Sequence, residues 1–202
     1  MDYFSFIPFE LIELIISYLN DSELVSFFEV YDVKDFINWT NVYTLHFLQF
    51  KSVGYGEYFT FLSVERLKGE LKLKETVEEL INLEKLDLRS SGIEKIPKEI
   101  GELVKLKELN LFDNQITEIP PEIGKLINLK ELNLSFNKIK EIPKEIGHLI
   151  NLKELYLYNN QIINFPEEIG NLTNLKILDL DNNKFPIPSE IGNLLPNTLI
   201  YY

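Results

Sequence analysis

The residues best suited to acid–base or metal chemistry are scattered along the chain. The two histidines, His46 and His148, have no second histidine at ligand spacing, and the chain contains no cysteine. His148 belongs to a 23-residue repeat, and the equivalent position in the other copies is held by Glu102, Lys125 and Asn171. Such variation indicates a surface side chain. The sequence therefore predicts no catalytic residue, no metal site and no cofactor, and we expect the protein not to be an enzyme.

Aromatic side chains offer a different chemistry, namely binding. Large, rigid rings supply much of the affinity of protein interfaces, and here they fall at variable positions among charged residues. The predicted partner-binding residues are Arg89, Phe112, Phe136, Tyr156 and Tyr158. We expect the two tyrosines side by side on one strand, with Phe112 roughly 10 Å away across two strands and Phe136 at the strand edge. The alternative is that they are ordinary surface aromatics without a binding role.

These residues are positioned by a 23-residue repeat. Its five copies begin at Leu83, Leu106, Leu129, Leu152 and Leu175. Alternation in Leu109-Asn110-Leu111 predicts a short strand with both leucines in the core and the polar residue on the opposite face. Stacked copies would form a parallel sheet, and the outward-pointing columns on its face should be free of structural duties.

Two further columns predict the rest of each copy. An asparagine recurs where the strand must turn inward, and its amide can satisfy turn backbone that no neighbouring strand reaches. This column is Asn114, Asn137, Asn160 and Asn183, with Ser91 in the first copy. The prolines suit the first position of a helical turn, with a glutamate in the first turn and a glycine closing it. The columns are Pro97, Pro120, Pro143 and Pro166, and Glu99, Glu122, Glu145 and Glu168.

The pattern Leu-x-x-Leu-x-Leu-x-x-Asn-x-Ile, followed by Ile-Pro-x-Glu-Ile-Gly, resembles the intracellular leucine-rich-repeat proteins from Leu83 to about Leu195. The resemblance implies an α/β leucine-rich-repeat solenoid, with a parallel sheet on the concave face and short helical turns on the convex side. It also implies that the repeats bind another protein.

Residues 1–50 are a different kind of sequence, with eight acidic residues and one lysine, and are predicted to be a small all-helical module. The segment FIPFELIELIISYLNDSELVSFFEV resembles an F-box. The matching positions are Ile7, Pro8, Glu10, Leu11, Ile15, Tyr18, Leu19 and Leu24. The usual Val-Cys-Arg-x-Trp is replaced by Val30-Tyr31-Asp32-Val33-Lys34. The resemblance implies docking to the adaptor subunit of a cullin-type ubiquitin ligase through Ile7, Pro8, Glu10, Leu11, Ile15, Leu19 and Leu24.

Composition narrows the partners and the setting. The net charge of −12, with 20 basic and 32 acidic residues, argues against nucleic acid, whose phosphates require clustered Lys and Arg. No apolar run approaches the length of a membrane span, and Met1-Asp2 is a poor start for a signal peptide. The absence of cysteine fits a reducing compartment. We therefore expect a cytoplasmic protein with protein partners and no membrane contact.

The domain organisation is predicted as a helical module at 1–50, a connection and degenerate capping repeat at 51–82, and the solenoid at 83–202 with a truncated sixth strand. Within the connection, Ser52 to Gly56 indicates a loop and Leu71-Lys72-Leu73 an edge strand. Together the two resemblances imply a substrate-recruiting subunit of a ubiquitin ligase. The alternative is a leucine-rich-repeat scaffold whose N-terminal helices only cap the solenoid.

Overall fold

The computed structural model describes residues 55–184 and 189–202, in which one short strand recurs in every repeat. The strands are β1 (Lys85–Asp87), β2 (Glu108–Asn110), β3 (Glu131–Asn133), β4 (Glu154–Tyr156), β5 (Ile177–Asp179) and β6 (Leu199–Tyr201). They form one parallel sheet in chain order, and corresponding repeat positions lie directly opposite each other. The middle residue of β1 to β5 is buried and its neighbours are more exposed, as alternation predicts.

The other side of each coil carries a single 3₁₀ turn. The four turns are Lys98–Glu102, Pro121–Lys125, Lys144–His148 and Glu167–Asn171. Each has a glutamate in its first turn, as predicted. The recurring proline does not begin the turn but precedes it in extended conformation, as at Pro143 with φ −68° and ψ 146°. Its carbonyl accepts the Ile146 amide at 3.0 Å, which closes the turn.

The glycine in three of the four turns is required for close packing between coils. A Cβ built on Gly101, Gly124 or Gly147 would lie 2.8, 2.7 or 2.5 Å from the carbonyl oxygen of the glutamate in the next coil. These three glycines do not have positive φ; among the described residues, Gly92 is the only glycine that does. The expected role of glycine in ending the helical turn is therefore replaced by a role in setting the spacing of the coils.

The asparagine column ties neighbouring coils together. Asn137 donates from Nδ2 to the carbonyls of Leu111 and Leu134 at 3.0 Å each, and its Oδ1 accepts the Ile116 amide at 3.0 Å. Leu111 and Ile116 belong to the preceding coil. Asn114, Asn160 and Asn183 repeat the arrangement. The predicted structural role of this column is confirmed, and a buried amide with all these partners stabilises the stack.

A second asparagine column, which the sequence analysis missed, performs a similar task before β3, β4 and β5. Asn128, Asn151 and Asn174 donate to the carbonyls of Val104, Ile127 and Ile150 at 2.8–2.9 Å. The signal was present in the sequence as a recurring Asn-Leu pair.

The described N-terminal end of the solenoid is helical. Helix α1 (Tyr55–Leu71) is followed by α2 (Val77–Ile81), where Thr76 and Glu79 form a reciprocal capping box. Phe61, Val64 and Leu67 of α1 are buried, and Arg66 reaches Glu99 of the first coil at 3.4 Å. Two predictions are wrong here. Tyr55 and Gly56 lie in α1 and not in a loop, and α1 ends in a turn at Leu71–Leu73, where an edge strand was predicted.

At the other end, α3 (Ser189–Leu194) takes the place of a 3₁₀ turn, and β6 completes the sheet beside β5. No helix among residues 55–184 and 189–202 is both long enough and apolar enough to cross a membrane. The F-box-like segment lies outside the described residues, including all of its predicted docking positions. His46 also lies outside them.

Candidate functional site

The concave face of the sheet places three of the predicted binding residues together. The ring centroids of Phe112 and Phe136 are 5.1 Å apart at an interplanar angle of 61°, and those of Phe136 and Tyr158 are 5.1 Å apart at 58°. Phe136 therefore bridges the gap that the sequence placed between Phe112 and Tyr158. We call these three residues the aromatic cluster.

Two features put Phe136 in this bridging position. The residue between Phe112 and Tyr158 in their own column is Ser135, which is small and 5% exposed, so it leaves room for a ring. Phe136 itself has φ 57°, in the left-handed region. The neighbouring coils place Asp113 and Asn159 in the same conformation, and such residues tolerate it better than phenylalanine does.

The ring of Phe136 remains 39% exposed despite its two aromatic neighbours. The backbone holds its conformation firmly, because its amide donates to the Tyr158 carbonyl at 2.8 Å and its carbonyl accepts the Asn114 amide at 3.2 Å. A bulky residue in the left-handed conformation destabilises the folded state by about 1–2 kcal/mol relative to the same residue in an ordinary backbone conformation. The sequence thus presents a rigid, partly exposed ring at a position where the fold favours a small polar residue.

Tyr156 and Arg89, the other predicted residues, are engaged in contacts outside the cluster. The Tyr156 hydroxyl donates to the Glu154 carboxylate at 2.6 Å, and this hydrogen bond, together with burial and the charge of Glu154, raises the pKa of Tyr156. Arg89 donates from Nε to both Asp87 oxygens at 2.9–3.0 Å. This ion pair is exposed, and the hydrogen bonds from the Arg89 guanidinium lower the pKa of Asp87.

The column that contains Tyr156 is less free than the sequence analysis expected. In other coils the side-chain oxygen at this position accepts a hydrogen bond from the backbone amide two residues later. The Phe112 amide donates to Asn110 Oδ1 and the Ser135 amide donates to Asn133 Oδ1, both at 3.0 Å. Asp87 and Asp179 do the same at 3.2 Å. Tyr156 has no such acceptor position and departs from this local structural role.

A column of carboxylates, also missed by the sequence analysis, runs along the opening residues of the central strands. Glu108, Glu131 and Glu154 face one another in register on β2, β3 and β4. We call them the carboxylate column. Glu108 pairs with Lys85 at 2.7 Å, and Glu154 accepts the Tyr156 hydroxyl. A recurring Lys-Glu-Leu before the strand was the available signal.

Glu131, in the middle of the carboxylate column, has neither a hydrogen-bond donor nor an ion-pair partner among residues 55–184 and 189–202. It is half-buried. Burial, followed by repulsion from Glu154 and Glu108, raises the pKa of the Glu131 carboxyl above its ordinary value. A charged group held in this way favours any ligand that brings a positive charge to it.

The described residues contain no group of three His, Asp or Glu side chains arranged to hold a metal ion. His148 is exposed at the end of a 3₁₀ turn, away from the strands. The arrangement on the concave face consists of rings, amides and fixed charges, which suit binding.

The comparisons with known proteins agree with the geometry. Residues 81–139 match the family described as leucine rich repeat, and residues 121–196 match the family described as leucine-rich repeat region. A solved leucine-rich-repeat protein of Leptospira interrogans is 38% identical, with a TM-score of 0.51 and a match that covers 63% of this chain and 40% of that one. The plant peptide hormone receptor RGFR1, solved in complex with RGF2, is 39% identical, with a TM-score of 0.48, and the match covers 54% of this chain and 18% of that one.

This chain thus spans less than half the length of either solved chain. No curated protein matches it. The six-stranded parallel sheet with 3₁₀ turns, together with the Leptospira structure, confirms the predicted leucine-rich-repeat solenoid.

Proposed function

Leucine-rich repeats run through residues 81–196 of this chain, and from that premise we propose that the protein recognises another protein on the concave face, with the aromatic cluster as its anchor. Leucine-rich repeats serve protein–protein interaction and are in general not enzymes. The observation that carries the proposal is the ring of Phe136, which the backbone holds rigidly and 39% exposed between two other rings. Rigid aromatic residues lose little conformational entropy on binding and are common binding hot spots.

Tyr156 supports the same assignment. It takes a position where other coils use Asn or Asp for local backbone bonding, and a tyrosine there cannot serve that structural role. Arg89 lies two coils from β3 and is exposed, and we assign it to the rim of the site. Charge reversal at Arg89 should then alter the association rate and its salt dependence more than the dissociation rate.

The neighbouring coils supply variants that test the cluster without harming the fold. Phe112→Ser introduces the residue of Ser135, Phe136→Asn that of Asn159, and Tyr158→Asp that of Asp181. The control is Ile163→Thr, which removes an apolar side chain that is 54% exposed outside the strands and introduces the residue of Thr117.

The wild-type full chain and these variants are immobilised, and the sets of proteins that each of them captures are compared by quantitative mass spectrometry. We expect a set of proteins that the wild type and Ile163→Thr capture equally and that the three cluster variants lose. A single cluster substitution should cost on the order of 2 kcal/mol in affinity for such a protein. Equal capture by the triple cluster variant would refute the assignment of the site.

We further propose that residues 1–50 dock this recognition unit on the adaptor subunit of a cullin-type ubiquitin ligase, in the cytoplasm. The support is the F-box-like sequence, with Pro8 and Leu11 at two of its matching positions. Co-expression of the full chain with the adaptor should give a stable complex, which Pro8→Ala combined with Leu11→Asp weakens without lowering the thermal stability of the repeats.

The alternative function is a leucine-rich-repeat scaffold in which the N-terminal residues only cap the solenoid. In that case the full chain binds no adaptor, and a fragment of residues 61–202 fails to fold. A folded fragment together with adaptor binding by the full chain would exclude the scaffold alternative.

A further inference from the structure

We propose that the partner presents a basic segment, in which one lysine or arginine lies on Glu131 while an apolar residue reaches the aromatic cluster. This inference rests on the proposed function, because it describes the chemistry of the protein held on the concave face. It goes further by specifying the charge of the partner and the spacing of its two anchor residues.

The first support is the state of Glu131. Its neighbours in the carboxylate column are already engaged, Glu108 with Lys85 and Glu154 with Tyr156. Glu131 lies between them, half-buried and without a partner in the described part of the chain. A cation from a partner would relieve the repulsion among three carboxylates that the register places on neighbouring strands, about 4.8 Å apart.

The second support is that the carboxylate column and the aromatic cluster occupy the same three coils. Each of the coils of β2, β3 and β4 supplies one carboxylate at the start of its strand and one ring beyond its end. The flanking coils have neither, since the equivalent positions hold Lys85 and Arg89 on one side and Ile177 and Asp181 on the other. Two independent binding features thus share one footprint, centred on β3.

The spacing between the two features sets the length of the segment. Ser135, which occupies the column between Phe112 and Tyr158, lies four positions after Glu131, so the two residues are about 13 Å apart at roughly 3.3 Å per residue. An extended segment that runs along β3 therefore needs about four residues from its basic residue to its apolar residue.

Lysines beside the carboxylate column raise the opposite possibility of an acidic partner. Lys107, Lys130 and Lys153 precede the same three strands, and Lys107 already pairs with Glu84. Lys130 and Lys153 are exposed, so water solvates them, whereas Glu131 is half-buried. The burial of an unpaired charge favours its neutralisation, and this points to a basic partner.

The test selects a displayed library of random 12-residue peptides on the full chain and measures the affinity of synthesised winners by fluorescence polarisation. We expect Lys or Arg to be enriched about four residues from an aromatic or aliphatic residue. Glu131→Gln should weaken these peptides about ten-fold and reduce the salt dependence of binding. Glu141→Gln, an exposed glutamate in the same coil, makes the same change in charge and should have no effect.

Three outcomes of the peptide selection would overturn the inference. They are enrichment of Asp and Glu, enrichment without charge preference, and failure of the wild type to select any peptide. Equal affinity of winners for the wild type and for Glu131→Gln would also overturn it. If the winners nevertheless lose binding to Phe136→Asn, the proposed function survives and only the chemistry assigned to the partner is wrong.

Discussion

Replacement of Gly124 by alanine tests whether the glycine column sets the spacing of the coils. The new Cβ would lie 2.7 Å from the Glu145 carbonyl oxygen, 2.9 Å from the Glu145 Cβ and 3.1 Å from His148 Nδ1. Ordinary contact begins near 3.4 Å, so the next coil must retreat by about 0.7 Å. The obstructing oxygen belongs to backbone, which cannot swing aside as the end of a long side chain can.

The magnitude follows from how firmly that backbone is held. The turn at Lys144–His148 is closed by the Ile146 amide on the Pro143 carbonyl. The sheet, together with Asn137 and Asn151 of the two asparagine columns, joins this coil to the coil of Gly124. Overpacking of a rigid site costs about 1–3 kcal/mol, and we expect the upper end here. For a chain of this length that corresponds to a loss of roughly 6–12 °C in Tm.

The assay is thermal unfolding followed by circular dichroism, with Gly69→Ala as the matched control. Gly69 lies in the last turn of α1, and apart from its chain neighbours and the backbone of its own helix no heavy atom lies within 4 Å of its added Cβ. Alanine is a better helix former than glycine, by up to about 1 kcal/mol, so the control should raise Tm. If Gly124→Ala unfolds at the wild-type temperature, the glycine column does not set the coil spacing.

Three further substitutions test other parts of the argument. Asn137→Ala leaves buried backbone groups unpaired and should cost roughly 1–3 kcal/mol in urea unfolding, so an unchanged midpoint would contradict the structural role of the column. Phe136→Asn relieves the left-handed strain but loses two ring contacts, so the free energy of unfolding should stay within about 1 kcal/mol of the wild type while partner affinity falls. A variant that loses stability but keeps its partner affinity would make the ring a structural residue. Glu131→Gln tests linkage, because a carboxyl whose pKa is raised on folding destabilises the native state as pH rises above its ordinary value of 4.5. The free energy of unfolding of the variant minus that of the wild type should therefore be larger at pH 7 than at pH 3.5. An equal difference at both pH values would refute this.

The repetition of residue types was sufficient to predict the scaffold. A 23-residue period with leucines on alternate strand positions can bury its apolar face only by stacking, and the structure has that arrangement. The asparagine column could also be assigned from sequence, because a polar residue that recurs at a turn must answer a recurring backbone need.

The connection before the solenoid could not be predicted in the same way, because it lacks the repeat. Glycines at 54 and 56 and the alternating Leu71-Lys72-Leu73 indicated a loop and a strand. The structure instead has α1, whose buried Phe61, Val64 and Leu67 recur at helical spacing. Local alternation over three residues was a weaker signal than the longer helical period.

The sequence by itself determined the parallel sheet, the turns opposite it and the columns in which variable residues lie, since each follows from the period and from which residues must be buried. Only the tertiary structure decided which variable residues meet. Phe136 joins Phe112 and Tyr158 because a left-handed backbone and the small Ser135 direct its ring into their column. Likewise, Glu131 has no partner among the described residues, whereas Glu108 pairs with Lys85 of the preceding coil and Glu154 accepts the Tyr156 hydroxyl. These contacts depend on side-chain positions that the repeat pattern does not contain.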